Sequence, residues 1–178
     1  MLLEKIKIIF RDVTDVYGMK KILKITTLSL LLSFLGAFRA TDTIIEKLYS
    51  SIFGLFSILI VVEIAFFGLF FAESVVNRKA KEFIVNKEEN ITYYQTLVTK
   101  NFYSISLKMT NIVVIYILQI FDLKFSVHDT VITFLGRVFP IKLGAYLFFY
   151  FLSIYTLIVM VDLIVTIYFY LWKNEKQP

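Results

Sequence analysis

The 178-residue sequence has no cysteine. Disulfides, thiolate nucleophiles and Cys-based metal sites are therefore excluded. Two prolines and six glycines leave no material for Pro-rich linkers or Gly-rich phosphate loops. There is one histidine, His128, so no paired-His metal or catalytic site can form. A lone His is more often structural than a ligand. The sequence also lacks a nucleophile elbow, a P-loop and an HExxH motif. An intramembrane protease would need a Ser/His pair or two Asp, whereas here one Asp and one Glu lie near the midplane, without flanking Gly motifs. The chain reads as a non-enzyme that needs no cofactor and no metal.

What the sequence has in excess is apolar surface. It is 58% apolar and 17% aromatic, with a mean hydropathy of +0.76. The excess lies in long runs, the pattern of a chain that faces lipid. The reading is an all-α integral membrane protein, a single domain over 1–178 with four transmembrane helices. The spans fall at about 22–38, 49–74, 102–121 and 143–172. The first and third are marginal as spans, which leaves a two-span or three-span reading open, and Lys24 in the first is able to snorkel. No cleavable signal peptide is expected, because the first apolar run begins only near Ile22 and no small-x-small site follows it. Net charge is +5, but most Lys and Arg flank apolar runs, as topology signals do, so direct nucleic-acid binding is not expected. Counted by alternate segments, fourteen basic residues lie on one side and five on the other. The positive-inside rule then places both termini and the 75–101 segment in the cytoplasm.

Residues 2–17 space Leu2, Ile6, Ile9, Phe10, Val13, Val16 and Tyr17 as one apolar helix face. Lys5, Arg11, Asp12 and Asp15 lie opposite. This predicts an amphipathic helix on the inner leaflet or against the bundle. In the cytoplasmic segment a helix start at Asn86 or Asn90 predicts a helical hairpin. Its Arg78, Lys79, Lys81, Phe83, Ile84, Tyr93 and Tyr94 are candidates for docking a soluble cytosolic partner. The bland alternative is a solvated connector whose charges only set topology. In the third loop, Asp129 as a cap and Val131, Ile132, Phe134, Leu135, Val138 and Phe139 predict a short external amphipathic helix ended by Pro140.

Three polar residues fall within spans: Glu63, Gln119 and Asp162. A charge at the bilayer centre costs at least about 3 kcal/mol, so such groups face protein or water. Glu63 lies eleven residues before Ser74, Asp162 eleven before Lys173, and Gln119 eleven after Lys108. At about 1.5 Å per residue, each sits roughly 16 Å deep. The expectation is a mutual polar layer, or a cation or proton pathway through it. Ser104, Lys108, Asn111, Gln119 and Asp122 form a stripe on the third span that should face protein. Gly144, Tyr155, Asp162 and Thr166 share a face of the fourth. The second span carries small residues, Ser50, Gly54, Ser57, Ala65, Gly68 and Ala72, with Glu63 on the opposite side. Small stripes let helices approach closely. A helix wanted on both faces predicts a homo-oligomer.

The layout of four spans, cytoplasmic termini, a basic cytoplasmic hairpin and an aromatic-rich fourth helix, LFFYFLSIYTLIVMVDLIVTIYFYLW, resembles the membrane subunit of the two-component Kiwa anti-phage defence system. The resemblance covers most of the chain, rests on layout and carries over no functional residue. It implies an oligomeric inner-membrane sensor or scaffold that recruits a cytosolic effector. The residues alone leave a second reading, an oligomeric cation or proton channel or pore-forming effector, and a third, an accessory subunit of another membrane complex.

Overall fold

The computed structural model describes residues 2–37, 42–72, 80–81, 84–86, 91–125, 131–134 and 137–175. It is almost entirely helical. In chain order the elements are α1 (Leu2–Tyr17), α2 (Met19–Ala37), α3 (Asp42–Ala72), β1 (Ile84–Asn86), β2 (Ile91–Thr92), α4 (Tyr93–Phe125), β3 (Val131–Phe134), β4 (Arg137–Pro140) and α5 (Ile141–Glu175).

Three helices are long and apolar enough to cross a membrane: the 44–69 stretch of α3, 93–120 of α4 and 144–170 of α5. This is consistent with a multi-pass membrane protein. At about 1.5 Å per residue each stretch exceeds the roughly 30 Å of a bilayer core. The 19-residue α2 is not among them. It carries Lys20, Lys21 and Lys24 in its first turns, and its lysine-free part, 25–37, measures only about 20 Å.

The helices pack up and down. α5 is central, packed on both α2 and α4, with α3 laid on α4 and α1 on α2 and α4. One end is built from Ile45, Tyr49, Ile115, Tyr146 and Phe149, with the Tyr49 ring edge-on to Phe149 at 4.7 Å. The other gathers Phe67, Ala80, Tyr93, Leu97, Leu163 and Tyr170, with Tyr93 stacked on Tyr170 at 4.3 Å. A third cluster joins α1 and α2 to α5 through Val13, Tyr17, Ile25, Tyr155 and Val159. The outward faces are apolar: Ile58, Val61, Leu69, Val113 and Tyr116 are all more than half exposed.

Local signals explain where the helices begin and end. α1 stops at Gly18, whose φ of 73° is the left-handed conformation that favours glycine. Its N–H still donates to the Thr14 carbonyl at 2.8 Å, and its own carbonyl accepts from Lys21 and Ile22, starting α2 at once. α4 starts at a capping box. The Gln95 N–H donates to Thr92 Oγ1 at 3.3 Å, and the Thr92 N–H donates to Gln95 Oε1 at 2.9 Å.

Two loops differ from the sequence reading. The expected helical hairpin is closed instead by a strand pair, with Ile84 opposite Thr92 and Asn86 opposite Ile91. Helix begins only at Tyr93, because Thr92 and Gln95 cap it there and outcompete Asn86 and Asn90. The expected external helix is an antiparallel ladder in which Val131, Ile132, Thr133 and Phe134 face Pro140, Phe139, Val138 and Arg137. Three of the first four residues are β-branched, which favours the extended form over a short helix with no partner.

Gly36 lies where a side chain would meet the Tyr150 ring at 3.0 Å. The close approach of α2 to α5 depends on it. Gly36→Val should therefore cost about 1–3 kcal/mol and lower the detergent unfolding temperature. Gly68→Ala, with nothing among the described residues within 4 Å of the new carbon, should not lower it, because alanine is the better helix former. Both are read by thermal scanning of the purified protein.

Candidate functional site

The candidate site is a ladder of polar side chains running along the buried face of α4. Lys100, Ser104, Lys108 and Asn111 stand at spacings of four, four and three, so they share one helix face. All four are buried: Lys100 is 6% exposed and the other three 0%. The ladder covers about 16 Å of helix. Each rung is met by a neighbouring helix.

At the rung nearest the α4 N-terminus, Lys100 Nζ donates to Asp162 Oδ2 at 2.7 Å and to Thr166 Oγ1 at 2.8 Å. Lys21, from the first turn of α2, donates to the other oxygen, Asp162 Oδ1. Two ammonium groups thus share one carboxylate. Both also lie over the Tyr17 ring, at 5.1 Å for Lys100 and 5.7 Å for Lys21. Burial, followed by the nearby Asp162 charge, pushes the Tyr17 phenol well above the ordinary tyrosine range, so it stays protonated.

Between the charged rungs lies a group of phenols. Tyr103 and Tyr155 hydroxyls are 2.9 Å apart, and the Tyr17 ring meets Tyr103 edge-on at 5.7 Å. The next rung is Lys108, which donates to Glu63 Oε1 on α3 and to Ser104 Oγ at 2.6 Å. Ser104 in turn donates to Glu63 Oε1 at 3.2 Å. The last rung is neutral. Asn111 Nδ2 donates to Thr156 Oγ1 at 2.6 Å, and its Oδ1 accepts from Ser153 at 3.1 Å. Among the described residues, four buried atoms beside these rungs and on α2 meet no hydrogen-bond partner: Glu63 Oε2, Tyr17 Oη, Asn101 Oδ1 and Ser29 Oγ.

The first rung opens into a cavity of about 330 Å³, lined among others by Asp15, Lys21, Lys100, Asp162, Val165 and Phe169. Among the described residues, no three of His, Cys, Asp and Glu gather as a metal would require.

The sequence placed Glu63, Gln119 and Asp162 in one network. The structure does not bring them together. Glu63 is bound by Lys108 and Asp162 by Lys100 and Lys21, while Gln119 is exposed. Counted from Lys108 as a membrane border, Gln119 falls in that layer; Lys108 is instead buried against Glu63, so the count does not hold. Ser104, Lys108 and Asn111 do share the interior stripe; the Asp122 side chain lies outside the described residues. The small residues of α3 face outward: Ala65, Gly68 and Ala72 are exposed, and Gly54 and Ser57 are half-buried. Of the docking set, Lys81 is exposed and lies 5.1 Å from the Tyr94 ring. Tyr93 is not available for docking, because it is buried and its hydroxyl donates to the Thr166 carbonyl. Arg78, Lys79 and Phe83 lie outside the described residues, as does His128.

The lysines were the residues missed. Lys21 and Lys100 read as loop charges beside a span. The signal that finds Lys100 is spacing, since it stands one helical turn before Ser104 on the same stripe. Ser153 and Thr156 had no signal beyond being hydroxyls opposite Asn111.

No protein-family model, curated protein or solved structure matches this chain.

Asp162 neutralises two lysines, so Asp162→Asn should destabilise the bundle by about 3–5 kcal/mol. Lys21→Gln, which leaves the carboxylate on Lys100, should cost about 1 kcal/mol or less. Denaturant titration in mixed micelles measures both.

Proposed function

We propose that this chain is a non-enzymatic scaffold or sensor of the bacterial inner membrane, acting as a homo-oligomer that recruits a soluble cytosolic effector. The observation that carries this reading is internal compensation. Lys100, Lys108, Glu63 and Asp162, buried or half-buried inside helices of membrane length, are ion-paired within the same chain. A bundle whose membrane charges neutralise one another holds its helices in register without a substrate or ion. That is the behaviour of a platform. In this reading α2 is the fourth span, short and anchored at its start by Lys20, Lys21 and Lys24. The amphipathic α1 lies along the inner leaflet, with Val13 and Tyr17 docked on the bundle. Both termini are cytoplasmic. Without Lys100 and Lys108, which are buried, the basic count still favours that side, twelve to five.

The oligomer is supported by α3. Its Glu63 side is ion-paired to Lys108 of α4, and on its small-residue side nothing among the described residues lies within 4 Å of a carbon added at Gly54 or Gly68. The layout resemblance to the Kiwa membrane subunit favours a role in anti-phage defence.

A proton or cation conduit is the second reading. It is favoured by Glu63 Oε2, a buried carboxylate oxygen with no hydrogen-bond partner among the described residues, and by the phenols between the two charged rungs. Ion flux in liposomes separates the two. The platform reading expects no flux above empty vesicles, and expects a soluble partner to co-purify with wild-type chain but not with one substituted across 75–92. Flux that Glu63→Gln abolishes would establish the conduit instead.

The chain has no native cysteine, so introduced ones report directly. Gly68→Cys should form a disulfide-linked dimer in membranes under mild oxidation, and Val113→Cys, exposed on α4, should not. Equal cross-linking at both would contradict a dimer built on the small face.

A further inference from the structure

We infer that the cavity beside Asp162 is a phospholipid headgroup site that takes a phosphate together with a primary amine. Three observations converge on it. The first is depth. The cavity runs along α5 from Asp162 to Phe169, over the final third of the 144–170 stretch. It therefore lies about 2–12 Å from the end of that helix's apolar run, where headgroups meet acyl chains. The second is the opening. Val165 and Phe169 line the cavity yet are 43% and 59% exposed on the outer face of α5. The cavity thus opens sideways through a surface that faces lipid. The third is charge. Lys21 and Lys100 are balanced by Asp15 and Asp162 in the same lining. A lining of both signs with no net charge suits a zwitterion better than a free anion.

The roles divide by availability. Lys100 is 8% exposed along its side chain and held by Asp162, Thr166 and the Tyr17 ring, so it serves as fixed background charge. Lys21 is 45% exposed, and among the described residues it is bound through Asp162 Oδ1 and the Tyr17 face alone. Its remaining ammonium hydrogens are free to meet a phosphate. Asp15 is exposed at the rim and meets the amine. A volume of about 330 Å³ lies at the lower end of ligand pockets and suits a headgroup while the acyl chains stay in the bilayer. Lipid held here would bridge α1, α2 and α5 at the Gly18 elbow. The inference rests on the membrane placement and not on the sensor reading.

Native mass spectrometry of the full chain in detergent tests it, by titration with phosphatidylethanolamine, phosphatidylglycerol, dioleoylglycerol and soluble glycerophosphoethanolamine. The expected result is saturable phosphatidylethanolamine binding at least tenfold tighter than dioleoylglycerol or the soluble headgroup. Lys21→Gln should weaken it tenfold or more. Lys24→Gln, on the same helix and exposed, should leave it unchanged. Asp15→Asn, at an exposed position that does not put folding at risk, should remove the preference over phosphatidylglycerol. Dioleoylglycerol binding as well as phosphatidylethanolamine would overturn the site. Soluble headgroup matching the intact lipid would overturn its lipid origin. Unchanged selectivity in Asp15→Asn would overturn the zwitterion assignment. Lipid binding lost with partner capture intact strikes only this site, and the converse strikes only the platform.

Discussion

The rest of the structure depends on the need to bury Lys108. Its side chain is fully buried in the middle of a helix long enough to cross a bilayer, where an unpaired ammonium is among the costliest groups a chain can carry. Only a carboxylate from another helix can compensate it there, and Glu63 is that carboxylate. The pair fixes the rotation of both helices: α4 must turn its polar stripe inward, and α3 must turn Glu63 toward it. With α3 so oriented, its small residues face outward. With α4 so oriented, Lys100 and Asn111 reach α5, where Asp162 and the Ser153–Thr156 pair receive them. One buried charge thus sets the phase of three helices.

The ladder also explains how specificity arises in a chain so rich in interchangeable apolar residues. Lipid tails are as apolar as leucine, so burial of Phe, Ile and Leu gives membrane helices little preference for one rotation over another. Hydrogen bonds and ion pairs supply that preference, because each misrotation strands a polar group. Buried ion pairs contribute little net stability when desolvation is counted. Their value here lies in selecting a register. Lys21 extends the same logic to α2, whose lysine-free part is too short to hold its depth by hydrophobic matching alone. Its attachment to Asp162, the Tyr17 docking and the Gly18 elbow hold the α1–α2 unit on the bundle.

Much of this was legible in the sequence. The apolar runs placed α3, α4 and α5, with both ends of α5 within three residues, whereas α3 and α4 begin seven and nine residues before the expected spans. The spacing of Ser104, Lys108 and Asn111 gave the buried stripe. The opposition of Glu63 to Gly54 and Gly68 gave the two faces of α3. What the sequence hid was pairing. Lys100 and Lys21 look identical to lysines that stop a span, and only the neighbouring helices decide between the two roles. Equal depth for Glu63, Gln119 and Asp162 was read from borders that included Lys108, so a buried residue served as a ruler mark. The loop at 131–140 was ambiguous by pattern, since its apolar positions suit a short helix as well as a strand pair. The hairpin strands, four residues each, are too short for a period of two to stand out from a helical one. The start of α4 was legible in retrospect, because Thr92 and Gln95 form a capping box by spacing alone.

The central claim is that Lys108 and Glu63 compensate each other inside the membrane, and a double-mutant cycle on that pair measures it directly. Stability would be followed by reversible unfolding in mixed micelles for Lys108→Met, Glu63→Gln and the double variant. The account predicts that each single substitution costs about 3–5 kcal/mol, and that the double variant costs less than the sum of the two by a coupling of about 2 kcal/mol or more. Additive losses, with no coupling between the two positions, would contradict it.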